Sequence, residues 1–369
     1  MKGYDVIVIG GGLVGGAIAW GAARGGAAVA LLDEGDIAFR ASRGNFGLVW
    51  VQTKGVGLPP YAHWSLRSAE LWPALAAALR EATGVDPGLE QTGGLMVCLS
   101  EAEMEERAQF NLRMHNERGD LGCRMIGRAE LKAMVPAIGP RVVGASFCPR
   151  DGHANPLLLL RGLHRALLDL SGAYLPGRRV ETIAYADGGF RVGCGEETFL
   201  ARKIVLAAGL GNAGLAPMVG LDMPVHPVRG EIIVTERIKR FLPYATHVMR
   251  QTVEGSVMLG DSQEDVGFDT AVSVPVLRDI AARNLAAFPC LAEATVVRVW
   301  GALRVMTPDG FPVYAGSVDQ PGAWIALCHS GITLAAFHAG PLAAAFAQAL
   351  IPAELQVFHH GRFDVSQTA

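Results

Sequence analysis

The stretch Tyr4–Asp33, YDVIVIGGGLVGGAIAWGAARGGAAVALLD, decides the fold. It opens on YDVIVI (4–9), a continuous β-branched run of the kind found in a parallel strand covered on both faces. A glycine-rich turn follows, then the small-residue segment AIAWGAARG with helical character, then a second apolar run, AAVALL, ending at Asp33. Strand, turn, helix and strand in this order make a βαβ unit with G-x-G-x-x-G at Gly10, Gly12 and Gly15. In that pattern one glycine makes a tight turn, the next lets backbone approach a pyrophosphate, and the third brings helix against strand. The helix start offers unpaired N–H groups and a partial positive charge to phosphates. Asp33 is placed to accept hydrogen bonds from ribose hydroxyls. A glycine run alone could simply turn the chain; the order of elements within ~30 residues is what points to a dinucleotide. The unit does not by itself separate NAD from FAD.

Working outward, 369 residues suggest two domains. Half the residues are hydrophobic and 46 are glycine, which favours a tightly packed α/β protein over disorder. A net charge of −3 gives no reason to expect nucleic acid or an anionic membrane surface as partner. The six cysteines (98, 123, 148, 194, 290 and 328) contain no C-x-x-C pair, so neither a zinc site nor a disulfide framework is expected. With a strand starting within four residues of Met1, leaving no room for a signal peptide, the expected location is cytoplasmic. The apolar segment 331–351 is interrupted by His338, Pro341 and Gln348. It predicts a buried helix broken at the proline, not a transmembrane segment.

Helical spacing covers 61–82, with Pro73 marking a break or a new first turn. A charged helix is expected over 101–118, and an amphipathic one over 156–170 that opens on Pro156. Strands are expected at RRVETIAY (178–185), GFRVGCG (189–195) and KIVLAAGLGN (203–212). From Pro224, VRGEIIVTE and GSVMLGD suggest an antiparallel sheet, followed by a helix over 275–288 and a strand over 294–305. Cofactor-type elements thus occur at the start, middle and end of the chain. The expected class is α/β, an α+β two-domain protein. A Rossmann-like cofactor domain (1–84, 147–216 and 303–369) is interleaved with an antiparallel-sheet substrate domain (85–146 and 217–302).

Three stretches favour FAD. KIVLAAGLGN ends in small residues where backbone can lie on a flat ligand, and DGFPVYAG (309–316) is another tight glycine approach. CHSGITLAAF (328–337) predicts a strand-to-helix junction whose helix start faces the electron-rich edge of a reduced flavin. RASRGNFGLVWVQ (40–52) turns from cationic and polar to apolar at Gly47, which suits phosphate oxygens followed by a flat ring. Its alternative reading is a helix cap or salt-bridged loop.

Through VIVIGGGLVGGAIA, LLDEGD, SRGNFG, KIVLAAG, WGALRVMTPDGFPVYAG and HSGITLA, the whole chain resembles the D-amino-acid-oxidase-like FAD-dependent amine oxidoreductases. Glycine oxidase, sarcosine oxidase and D-amino-acid dehydrogenase are members. RGNFGLVWVQ, ALRVMTPDGFPVYA and CHSGITLAAFHAG are most similar to the FAD subunits of opine oxidase, hydrogen cyanide synthase and D-hydroxyproline dehydrogenase, which work with partner subunits. The resemblance implies FAD held by Gly10, Gly12, Gly15, Asp33, Glu34, Arg40, Ser42, Asn45, Gly47, Leu48, Gly209, Gly331, Ile332 and Thr333. Val180 matches the position whose backbone meets the adenine, or is an ordinary strand residue. Cys328 does not match the family's flavin-linking cysteine, so non-covalent FAD is expected.

Arg304 matches the arginine that grips a substrate carboxylate through two parallel N–H bonds; otherwise it is an exposed salt-bridge arginine. His329 is either a hydrogen-bond donor at the flavin edge or a packed histidine. Two positions depart from the pattern: Val305 replaces a usual proline, and Val248 stands where glycine oxidase has a tyrosine on the carboxylate. His247 and Arg250 are the candidate substitutes. The implied reaction passes a hydride from the Cα of an amino-acid-like substrate, its amine unprotonated, to flavin N5, with no dedicated base. Partner subunits carrying electrons onward would place the protein in the cytoplasm, peripheral to the inner face of the membrane. Two alternatives stand beside this: an oxygen-using oxidase, and a flavin-binding subunit whose catalysis resides in a partner.

Overall fold

The computed structural model describes residues 2–35, 41–114, 121–348 and 352–363. Strand β1 (Lys2–Ile9), helix α1 (Leu13–Arg24) and strand β2 (Val29–Asp33) form the expected βαβ unit. β1 runs parallel to β2 on one side and to the strand Glu197–Leu206 on the other. Ile7 and Ile9 enter one core cluster while Val6 and Val8 enter another. Both faces of β1 are therefore covered, which is why its sequence is a continuous apolar run and not an alternation. Ala173–Pro176 continues the sheet beyond β2, and Ala323–Leu327 and Val313–Gly316 continue it at the other side. The hairpin Thr182–Ala186 and Gly189–Cys194 adds antiparallel strands to Glu197–Leu206, completing eight strands. The first strand of that hairpin begins at Thr182, so Arg178–Glu181, expected as its start, instead lead into it. The Arg178 N–H donates to the Asp33 carbonyl at 2.7 Å.

The intervening chain builds two smaller sheets. Met249–Gln251, Ser256–Leu259, His226–Arg237 and Val296–Met306 pair antiparallel in that order, with Val228 opposite Arg304. Ala245–Thr246, Gly94–Cys98, Gly144–Cys148 and Arg124–Gly127 form the other. Leu95, Val97, Ile233, Met249, Leu259 and Phe288 close a shared core between them.

Pro73 breaks nothing: α2 (Pro59–Thr83) is continuous through it. Proline has no N–H for the carbonyl four residues back. That carbonyl, on Ala69, instead accepts from Gln91 Nε2 at 2.9 Å. The second proline expectation is also modified. Ala335–Phe337 passes through a π-type turn, His338–Leu342, into Ala343–Ala347, and Pro341 lies within that turn. A π-bulge is one way helical chain absorbs an irregular residue without ending. The helix expected over 101–118 is observed as Glu101–Arg113; residues 115–120 lie outside the described set. Among the described residues no helix is long and apolar enough to cross a membrane.

Candidate active site

A cavity of about 980 Å³ runs past the β1–α1 turn, and its walls include Gly10, Gly12, Asp33, Glu34, Val180 and Gly209. The three motif glycines are required for different reasons. Gly10 has φ +109°, and a Cβ there would collide with the Ala207 carbonyl. Gly15 faces the Gly10 carbonyl so closely that any side chain would strike it, the helix–strand contact expected of the third glycine. Gly12 has an ordinary φ of −74°; a Cβ there would lie 2.7 Å from Ser42 Oγ, at the cavity wall. Space, not backbone conformation, demands glycine at 12. Asp33 Oδ2 accepts from Gly11 N at 2.7 Å and Oδ1 from Gly35 N at 2.9 Å, which fixes the carboxylate at the end of β2. These features fit a dinucleotide. Sequence reasoning missed Arg178 and Arg179, which also line this cavity directly before Val180. Adjacent arginines at a strand entry carry no motif that distinguishes them from a solvated pair.

In the 40–52 stretch, Arg40 lies outside the described residues. Ser42 Oγ accepts from Leu13 N at 2.9 Å, at the start of α1, and Asn45 Oδ1 accepts from Gly47 N at 2.7 Å. Both oxygens thus serve the protein's own turn and helix start, although both residues line the cavity. Gly47 (φ +98°) does not line it; a Cβ there would strike the Ala154 carbonyl. Beyond it, β3 (Leu48–Val49) pairs with Gly152–His153 and leads to Trp50, whose N–H donates to Thr333 Oγ1 at 3.0 Å. Ser68 Oγ donates to the Thr333 carbonyl at 2.7 Å, and Trp72 Nε1 to the Ile332 carbonyl at 2.9 Å. Side chains of α2 therefore hold Gly331–Thr333 in place. The strand-to-helix junction expected over 328–337 is present, but its helix starts late: the strand ends at Leu327, turns occupy 331–334 and helical residues begin at Ala335. The pinned carbonyls point to the reason, since the Ile332 and Thr333 carbonyls serve α2 side chains.

A second cavity of about 420 Å³ shares Asn45, Leu303, Val305, Cys328 and His329 with the first. Leu48, Ile332 and Thr333 line it, as does Arg304 from the strand Val296–Met306. The Arg304 guanidinium lies across the neighbouring strand, where a Cβ on Gly230 would collide with it. Its Nη1 donates to the Ser262 carbonyl at 2.6 Å and to the Arg229 carbonyl at 3.1 Å, and its Nη2 pairs with Asp261. Nε and one Nη2 hydrogen are left without a described protein acceptor, from the five N–H donors of a guanidinium. Of the two candidate substitutes for the missing tyrosine, His247 lines this cavity. Arg250 is buried elsewhere, its Nε donating to the Phe46 carbonyl. Val248 is buried and is not among the residues of the wall.

The charges in this wall are nearly balanced. Burial pushes the His247 imidazole down to about 4. Burial, with Lys54 and Arg304 nearby, holds His329 well below the usual histidine range, so both rings are neutral at pH 7. Asp261 is paired with Arg304. Glu231 lies 3.6 Å from Arg229 and accepts from Ser273 N. Lys54, which sequence reasoning also missed, has an ammonium that makes no hydrogen bond or ion pair with any described residue, and burial lowers it to about 8. A single lysine in a T-K-G turn offers no signal in the sequence. Burial pushes the Cys328 thiol up to about 12, which keeps it protonated at pH 7.

Residues 5–345 match the model of the DAO family, FAD-dependent oxidoreductases, and the chain belongs to that family. It is an FAD-dependent oxidoreductase with FAD as its cofactor. The chain is 42% identical over 365 residues to an opine oxidase subunit of Rhizobium meliloti, with 98% of each chain covered. It is 25% identical over 418 residues to the HcnC subunit of the hydrogen cyanide synthase of Pseudomonas aeruginosa, covering 99% of this chain and 98% of that one. The crystal structure of glycine oxidase from Geobacillus kaustophilus is similar at a TM-score of 0.86 and 26% identity, covering 97% of this chain and 98% of the other.

Proposed function

We propose that the protein oxidises the Cα–N bond of an amino acid or secondary amino acid (D-amino acid, N-alkyl amino acid, opine or D-hydroxyproline type), giving an imine that hydrolyses. The observation that carries this reading is Arg304. Its guanidinium is held by Asp261 and two carbonyls at the wall of the smaller cavity, with donors left for a planar carboxylate. When bound, FAD supplies the hydride acceptor. Arg304 orients the substrate, and Asp261 orients Arg304. His329, at the junction of the two cavities, is neutral and offers a hydrogen bond without adding charge. Leu48, Trp50 and Met96 supply apolar wall that displaces water from the reacting carbon. In this reading residues 1–84, 147–216 and 303–369 hold FAD, while 85–146 and 217–302 enclose the substrate.

The relative at 42% identity belongs to an opine oxidase, which supports secondary amino acids of the opine class as substrates and a partner protein as electron acceptor. Anaerobic bleaching of the flavin by a panel of D-amino acids, N-alkyl amino acids, opines and prolines tests the reading directly. Bleaching by at least one member is expected. A flavin that stays oxidised with the whole panel would show that the substrate is of another class.

A further inference from the structure

The smaller cavity holds one charge that the reaction as described does not use. Lys54 reaches it from the turn after β3, while Arg304 reaches it from the strand Val296–Met306, so the two cations enter on separate elements. Arg304 is already matched by Asp261, and Glu231 lies 3.6 Å from Arg229, which also pairs with Glu264 and Asp269. The neutral rings of His247 and His329 add nothing. The Lys54 ammonium, among the described cationic groups of this wall, has no ionic or hydrogen-bonding partner in the protein. A half-buried ammonium without a partner is costly, and the cost is offset when an anion takes that position. At about 420 Å³ the cavity falls in the range of small-molecule pockets, so an amino acid with a further arm can be held in it.

We infer that Lys54 is a second carboxylate anchor, making this cavity selective for amino-acid substrates whose side arm or nitrogen substituent carries another anionic group. The inference rests on the proposed function for the placement of the first carboxylate on Arg304. The two anchors then act at different ends of one substrate, and their spacing sets which diacids fit. A lowered ammonium near 8 remains mostly charged at pH 7, as an anchor requires.

The test uses the FAD-loaded enzyme and inert acids, so that binding is measured apart from turnover. Glutarate and adipate are titrated against butyrate, with perturbation of the flavin absorption spectrum as the readout. The wild type should bind at least one diacid more tightly than butyrate. Lys54→Met should lose about 10- to 150-fold of that preference, the range for a hydrogen bond to a charged group. Lys54→Arg should retain most of it, which a purely structural lysine would not predict. A wild type that does not prefer diacids, or a flavin-replete Lys54→Met or Lys54→Gln variant that keeps the preference, overturns the inference. Bleaching by monocarboxylate amino acids, measured in parallel on the wild type, reports the proposed function separately. Bleaching without diacid preference removes the role of Lys54 alone. Diacid preference lost in Lys54→Met, without bleaching by any amino acid, leaves the anchor standing and removes the reaction.

Discussion

A guanidinium at position 304 needs room, and Gly230 on the neighbouring strand leaves it. Asp261 and the carbonyls of Arg229 and Ser262 then hold it in one orientation. Removing it takes away the proposed carboxylate partner and leaves Asp261 without its paired cation. Arg304→Ala should cost on the order of 2–5 kcal/mol in substrate binding and orientation. Lysine should rescue poorly, because an ammonium cannot reproduce two parallel N–H bonds while also satisfying Asp261 and two carbonyls. Reductive half-reaction kinetics of both variants, beside their flavin content, check this. Unchanged reduction by the best amino acid, or loss of FAD in place of substrate, would show that the arginine serves another purpose. The motif around Arg304 was legible in the sequence; its engagement by Asp261 was not, because the partner lies just after the strand Ser256–Leu259, 43 residues away, and only sheet pairing brings it close.

At the scale of elements, the β1–α1 turn holds the cofactor in the proposed reading. Gly12 is free of backbone strain, so a substitution there should fold and yet fill the space beside Ser42 that faces the cavity. Gly12→Val is expected to yield folded protein with little or no FAD, measured as flavin-to-protein absorbance and circular dichroism. Full flavin content would show that this glycine only turns the chain. The two proline expectations belong here too. Chain-local rules place a break at Pro73, but the orphaned Ala69 carbonyl finds Gln91 across the fold and the helix continues. The 328–337 junction is present, with its helix delayed: Ser68 and Trp72 of α2, together with Trp50, bond into 331–334 and keep those residues as turns before helical residues begin at Ala335.

Across the whole molecule, buried titratable groups set the response to acid. Burial lowers His153 to about 3, His247 to about 4 and His338 to about 3, against an ordinary value near 6.5. The unfolded chain therefore binds more protons than the folded one between those values, and stability falls as pH drops below about 6.5. Asp151, raised by burial to about 7, acts oppositely, since its carboxyl prefers the proton in the folded state. Three histidines outweigh this one carboxyl, so the melting temperature should be lower at pH 5 than at pH 7. His153→Gln should shrink the difference. A melting temperature that is flat or higher at pH 5 would contradict the sign. A second whole-molecule expectation follows from the multisubunit relatives: turnover with an artificial dye should exceed turnover with oxygen. Comparable rates would favour an oxidase that works unaided.

The sequence by itself determined the βαβ unit, its glycines, the acid at the end of β2 and the family, because these depend on local spacing and on backbone approach to a ligand. Those requirements are met within some thirty residues and leave a readable trace. Lys54, Arg178 and Arg179, the capping use of Ser42 and the choice of His247 over Arg250 were decided only by the tertiary structure. Each depends on which side chains from distant segments share one cavity, and on which charges are already matched there. A lysine in a turn looks the same in the sequence whether it faces solvent or a shared cavity; which side chains surround it, and which of their charges are already paired, make the difference.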